Sequence, residues 1–248
     1  MNLQIIHLQE TLSTNSYLRL WAAEHPQVLE AAVFTDSQTA GRGQRGNGWE
    51  SEPGKNLTFS LLLHPSFIPA DQQFILSQIA SLAVREVLSE YTDQICVKWP
   101  NDIYWKDKKI CGILIENDLT DGFISRSIFG IGVNLNQKIF LSDAPNPVSL
   151  HQITENRYDI KQIMEEITSA IVRRCHLLKN SPESWEGFRQ EYARSLFRKE
   201  GFSLFENAKG RFSARIHHIE PSGLLVLEKE MTGEKEEFAF KEVKYVIG

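Results

Sequence analysis

Residues 95–133 read ICVKWPNDIYWKDKKICGILIENDLTDGFISRSIFGIGV, and this run decides the fold. Apolar and β-branched residues gather in four blocks, Ile95 to Trp99, Ile103 to Trp105, Ile110 to Glu116 and Phe123 to Val133, which predict successive strands. Lys106-Asp107-Lys108 and the stretch from Asp118 to Gly122 are polar turn material. Connections this short imply largely antiparallel neighbours.

Working outward, Ile5 to Leu8, Ala31 to Thr35 and Leu57 to Leu63 predict three more strands, and residues 36 to 56 between the last two form a long polar, glycine-rich loop. Ser13-Thr14-Asn15 supplies cap residues for a helix through Leu18 and Ala23 that Pro26 stops. Apolar residues at helical spacing predict a core helix from Gln72 to Tyr91 and a longer one from Ile160 to Leu178, and Ser181-Pro182-Glu183 opens another through Tyr192. After Phe197 the texture becomes short alternating strands with turns at Pro221-Ser222-Gly223 and Thr232-Gly233. The expectation is an α+β chain: a mixed β-sheet packed with helices over 1–197, then a small all-β module over 198–248.

The 248 residues carry 42% hydrophobic and 24% charged residues, which excludes a disordered or fibrous chain. A net charge of −5 argues against a protein that grips nucleic acid through a basic surface. Cys96, Cys111 and Cys175 are widely spaced, which points away from disulfides and structural zinc, and no basic-then-apolar leader or membrane-length apolar run is present. A cytoplasmic location is expected.

Gly41-Arg42-Gly43-Gln44-Arg45-Gly46 matches G-x-G-x-x-G, yet Asp36 to Ala40 separates it from the strand, and Asn47-Gly48-Trp49-Glu50-Ser51-Glu52-Pro53 cannot begin the helix that a dinucleotide site needs. What remains is a loop whose amides and arginines suit a phosphate or carboxylate, though such loops also occur as solvated surface. Lys98-Trp99-Pro100-Asn101-Asp102 ends a strand with polar groups, and a plain turn has the same composition. Lys109 begins a strand in which Gly112 permits close backbone approach, so it can reach a bound anion. Gly130-Ile131-Gly132 clears one face of another strand before Asn134 and Asn136, as a ligand lying across that face, or a bulge, would require.

Taken in order, Thr11-Leu12-Ser13-Thr14-Asn15, Gly41 to Trp49, Lys98 to Ile103, Lys109 to Glu116 and Gly130 to Asn136 resemble the motifs of the biotin protein ligase family. The resemblance implies the fold of biotin ligases and class II aminoacyl-tRNA synthetases, followed by a small SH3-like β-barrel. It implies two steps: biotin and MgATP give biotinyl-5′-adenylate and pyrophosphate, then a lysine of a biotin carboxyl carrier protein or domain attacks the mixed anhydride. By carry-over, Ser13, Thr14, Asn15, Gln38, Arg42, Gly43, Gln44, Lys109 and Gly112 bind biotin. Arg42, Gln44, Arg45, Trp49, Lys109 and Asn134 meet ATP or the adenylate, and catalysis falls to Lys109, Arg42 and Asp102. ATP, biotin and Mg2+ are the expected small molecules, with no protein metal site. A homodimer is compatible with the family, and DNA binding is not expected because only ten residues precede the first motif.

Gln44 stands where the family usually has arginine, and Asn47 where it is often basic, which leaves the sharing of charge within the loop open. The competing readings are a lipoate or octanoate ligase of the related fold, and a non-catalytic biotin sensor.

Overall fold

The computed structural model describes residues 3–43, 48–141 and 146–247. A seven-stranded mixed sheet is built from β1 (Gln4–Thr11), β2 (Ala31–Gln38), β3 (Leu57–Leu63), β4 (Ile95–Lys98), β5 (Asp102–Trp105), β6 (Lys108–Thr120) and β7 (Phe123–Val133), in the order β1-β2-β3-β7-β6-β5-β4. Only β1 and β2 run parallel, joined by helix α1 (Thr14–Glu24); from β4 to β7 every neighbour is antiparallel, as the short turns require. Ser13 holds the N-cap position of α1, but its side chain makes no capping bond, so the expected cap chemistry is absent there.

Period-2 alternation gives the sheet two apolar faces. Leu57, Phe59, Leu61, Ile113 and Ile131 face the large core with α2 (Phe74–Ser89) and α4 (Ile160–Asn180). Val33, Leu62 and Ile128 face the other way and receive Leu18 and Ala22 of α1. The short helix α3 (Leu150–Thr154), not among the helices expected above, is capped at its N-terminus by a capping box between Ser149 and Gln152. Buried Arg174 on α4 meets Glu86 of α2 and, at 3.1 Å, Glu191 of α5 (Glu183–Arg194), tying three helices together.

The C-terminal strands β8 (Ser203–Asn207), β9 (Gly210–Ile219), β10 (Leu225–Lys229), β11 (Lys235–Phe238) and β12 (Val243–Tyr245) form a second, antiparallel sheet in the order β11-β10-β9-β8-β12. Strand β8 lies between further turns at Gly201 and Gly210, both at positive φ. This sheet is consistent with the expected small SH3-like domain, and among the described residues its end strands β11 and β12 do not pair to close a barrel. The sheet packs against the first through Trp99 Nε1, which donates to the Gly223 carbonyl at 2.9 Å, and through Phe197, whose ring lies between Tyr104 and Tyr245. Among the described residues no helix is long and apolar enough to cross a membrane.

Candidate functional site

Helix α1 covers only part of its sheet face. Beyond its second helical residue the strands carry mostly small residues in register: Thr58 opposite Gly132 and Gly132 opposite Gly112 in one row, Ser60 opposite Gly130 and Gly130 opposite Leu114 in the next. A Cβ on Gly130 would stand 2.4 Å from Asn15 Oδ1, and one on Gly132 would stand 2.4 Å from Trp49 Cε2. Glycine at both positions is therefore what lets Asn15 and Trp49 lie against the sheet at this cavity.

The strand register brings cations and carboxylates to the cavity's ends. Between β5 and β6 the pairing shifts, Ile103 with Cys111 and Tyr104 with Lys109, which leaves Ile110 as the extra residue of a bulge. The bulge turns Lys109 onto the face of Gly112, where its Nζ lies 2.7 Å from Asp102 Oδ1. Asp102 is itself paired with Gly112 across the strands. Nearby, Lys98 Nζ donates to the Tyr104 hydroxyl at 3.1 Å. Burial pulls the Lys98 ammonium below its ordinary range, against the raising influence of Asp102 and with the charges of Lys109 and Arg198 adding to it.

The other end is a hydrogen-bond network. The backbone N–H of Thr14 donates to Gln38 Oε1 at 2.8 Å and its hydroxyl does so at 3.1 Å. Fully buried Ser60 reaches Thr14 Oγ1 at 2.8 Å and Asn15 Oδ1 at 2.6 Å, and Asn15 Nδ2 donates to Glu116 Oε2 at 2.8 Å. The two flanks of the glycine-rich loop meet at this end, with Arg42 bridged to Gly48 and the Trp49 N–H donating to the Gly41 carbonyl at 3.0 Å. Arg42 Nη2 approaches Glu116 at 3.3 Å and Ser16 Oγ at 3.2 Å. Trp49 Nε1 and Thr58 Oγ1, both lining the cavity, are buried without a hydrogen-bond partner. Such atoms are costly unless something polar arrives.

Ser13, Thr14, Asn15, Gln38, Arg42, Gly43, Trp49, Asp102, Lys109 and Gly112, all singled out from the sequence, line one cavity. Asn134 does not: its Nδ2 turns away to the Val148 carbonyl at 3.2 Å, and its Oδ1 is buried and unpartnered. Gln44 and Arg45 lie outside the described residues. The sequence reading passed over Thr58 and Phe240, which also line the cavity, and Ser60, which lies buried beneath Thr14 and Asn15, and left Glu116 without a role. For Thr58 and Ser60 a signal existed, since LTFSLLL places two hydroxyls two apart in an otherwise apolar strand. Among the described residues no cluster of three or more His, Cys, Asp or Glu can hold a metal ion, and Asp102 is the one carboxylate lining the cavity.

Residues 7–134 match the profile of the biotin/lipoate A/B protein ligase family. The chain is 29% identical over 207 residues to the bifunctional ligase/repressor BirA of Bacillus subtilis, covering 79% of this chain and 61% of that protein. It is 29% identical over 138 residues to the biotin--[acetyl-CoA-carboxylase] ligase of Mycobacterium tuberculosis, covering 54% of this chain and 50% of the other. The match thus spans 61% and 50% of the length of these two relatives. A solved biotin protein ligase from Aquifex aeolicus, in complex with biotin and ATP, superposes with a TM-score of 0.79 at 26% identity over 98% of this chain and 99% of that one.

Proposed function

Since the chain belongs to the biotin/lipoate A/B protein ligase family, we propose that it activates biotin with ATP as biotinyl-5′-adenylate and transfers the biotinyl group to a lysine of a biotin carboxyl carrier protein or domain. The observation that carries this reading is the order of groups along one cavity: a polar end at Thr14, Asn15 and Gln38 backed by buried Ser60, a middle where Trp49 lies against Gly112 and Gly132, and a cationic end at Lys109. Biotin has the same sequence of parts, a ureido ring, an aliphatic chain and a carboxylate.

In the first step a carboxylate oxygen attacks the α-phosphorus and pyrophosphate leaves. The reactants repel each other, so a fixed cation at the meeting point lowers the barrier. Lys109 is assigned that place, Asp102 orients its ammonium, and Gly112 lets the chain lie close to the backbone. Magnesium arriving with the triphosphate would neutralise phosphate charge, and Asp102, the one carboxylate in the lining among the described residues, would be the protein group able to meet it. In the second step the carrier lysine attacks the acyl carbon and AMP leaves, with Asp102 placed to orient the incoming amine. Arg42 and Trp49 cover the adenylate from the loop, and Gln44 and Arg45 are assigned to the same cover. Residues 1–197 are proposed as the catalytic domain and 198–248 as a module that completes the site through Phe240.

ATP/pyrophosphate exchange run separately with biotin and with lipoate tests the assignment. Exchange with biotin, followed by labelling of one carrier lysine, is expected. Exchange with lipoate alone would move the chain to the lipoyl branch of the family, and tight biotin binding with no exchange would make it a sensor.

A further inference from the structure

Glu116 stands outside the residues assigned to substrate, yet two parts of the site depend on it. Its side chain, about a quarter exposed, accepts from Asn15 Nδ2 at 2.8 Å and lies 3.3 Å from Arg42 Nη2. A carboxylate has no proton to give, so Asn15 can meet Glu116 only through its amide NH2. The second amide hydrogen faces the Leu114 carbonyl at 3.4 Å, and Oδ1 accepts from Ser60 at 2.6 Å. The orientation of Asn15 is thereby set, with its oxygen toward Ser60 and the cavity and one lone pair left to accept from a ligand N–H. Asn15 cannot retreat, since its Oδ1 fills the place a Cβ on Gly130 would take.

The same carboxylate seats the loop. Arg42 reaches Glu116 and Ser16 from one strand of the loop stem, whose other strand is Gly48 and Trp49. We infer that Glu116 is a positioning residue of this site: its negative charge decides which atom Asn15 presents to the polar head of the acid and holds the stem of the glycine loop over that head. The inference rests on the proposed reaction, because an N–H-bearing head is what the ureido ring supplies.

Glu116→Gln keeps the shape and removes the charge, and its amide donates as readily as it accepts, so Asn15 is free to turn over. A hydrogen bond to a charged group is worth enough to change binding about tenfold. The KM for biotin is expected to rise about tenfold and the KM for ATP by a smaller factor, because Arg42 and Trp49 of the same stem cover the adenylate, while the single-turnover rate of lysine transfer stays within about twofold, and Glu116→Asp recovers most of the biotin KM. A merely structural role would raise both KM values alike, lower the transfer rate with them, and show in the melting temperature. A biotin KM within twofold of the parent, or a loss confined to kcat, overturns the inference. If the parent protein itself shows no biotin-dependent exchange, the functional reading fails, and hydrogen exchange at the Trp49 amide in the substrate-free protein then decides this point. Faster exchange in Glu116→Gln sustains the seat, and unchanged exchange refutes it.

Discussion

Lys109 and Asp102 leave 32% and 27% of their side chains exposed, and a pair so placed contributes about 0–1 kcal/mol to stability. Its value lies in where the charge stands. Lys109→Met keeps the aliphatic stem against Gly112 and Trp49 and removes the ammonium, so the melting temperature should change little. Biotin-dependent pyrophosphate exchange should fall by a factor on the order of 100 or more, the usual loss when one fixed transition-state donor is removed. Exchange near the parent rate would take Lys109 out of the chemistry. The sequence offered Lys109 as a cation at a strand start but not its direction. Strict alternation from Gly112 would put Lys109 on the opposite face, and the bulge at Ile110 that reverses this leaves no mark in the residue types. Glu116 was illegible for a similar reason, since its partners Asn15 and Arg42 are 101 and 74 residues away and only the register brings them together.

At the scale of elements, strands and helices were readable wherever one face is apolar, because burial imposes the period. Leu57–Leu63 and Phe123–Val133 have the expected bounds, and α4 runs two residues beyond its apolar stripe. How the helices are fastened to one another was not readable, and it sets the response to acid. Burial pushes the Glu86 carboxyl up, but hydrogen bonds and charge from Arg173 and Arg174 outweigh it and hold the carboxyl below its ordinary 4.5. A carboxyl depressed in the folded state contributes stability above its unfolded value, and that contribution is lost as pH falls from about 4.5 through the folded value. Glu86 is more than a third exposed, so after screening the contribution is about 1 kcal/mol. Glu86→Gln should therefore melt about 2–4 °C lower at pH 7, and the gap should close as the pH drops below 4. A gap that persists at pH 3 would place the effect in packing rather than charge.

For the whole molecule the question is whether the two sheets fold as one. Their buried side chains form a single continuous cluster: Leu57 and Ile103 of the first sheet share it with Phe205, Ile216 and Leu227 of the second. The C-terminal sheet is small, and alone it would bury too little apolar surface to be stable. Thermal unfolding of the full chain should accordingly be a single cooperative transition. Trp99 tests the joint, because its Nε1 bond to the Gly223 carbonyl and its contact with the Phe240 ring both cross it. Trp99→Phe keeps an aromatic ring and drops the hydrogen bond, which costs about 1 kcal/mol and about 2–4 °C for a chain of this size. The transition should move down as one, and the KM for biotin should rise with it, since Phe240 lines the cavity and is placed by that contact. Two resolved transitions, with the lower one moved by the substitution and the upper one unmoved, would mean that the sheets fold independently. The C-terminal module would then be a docked accessory rather than a wall of the site.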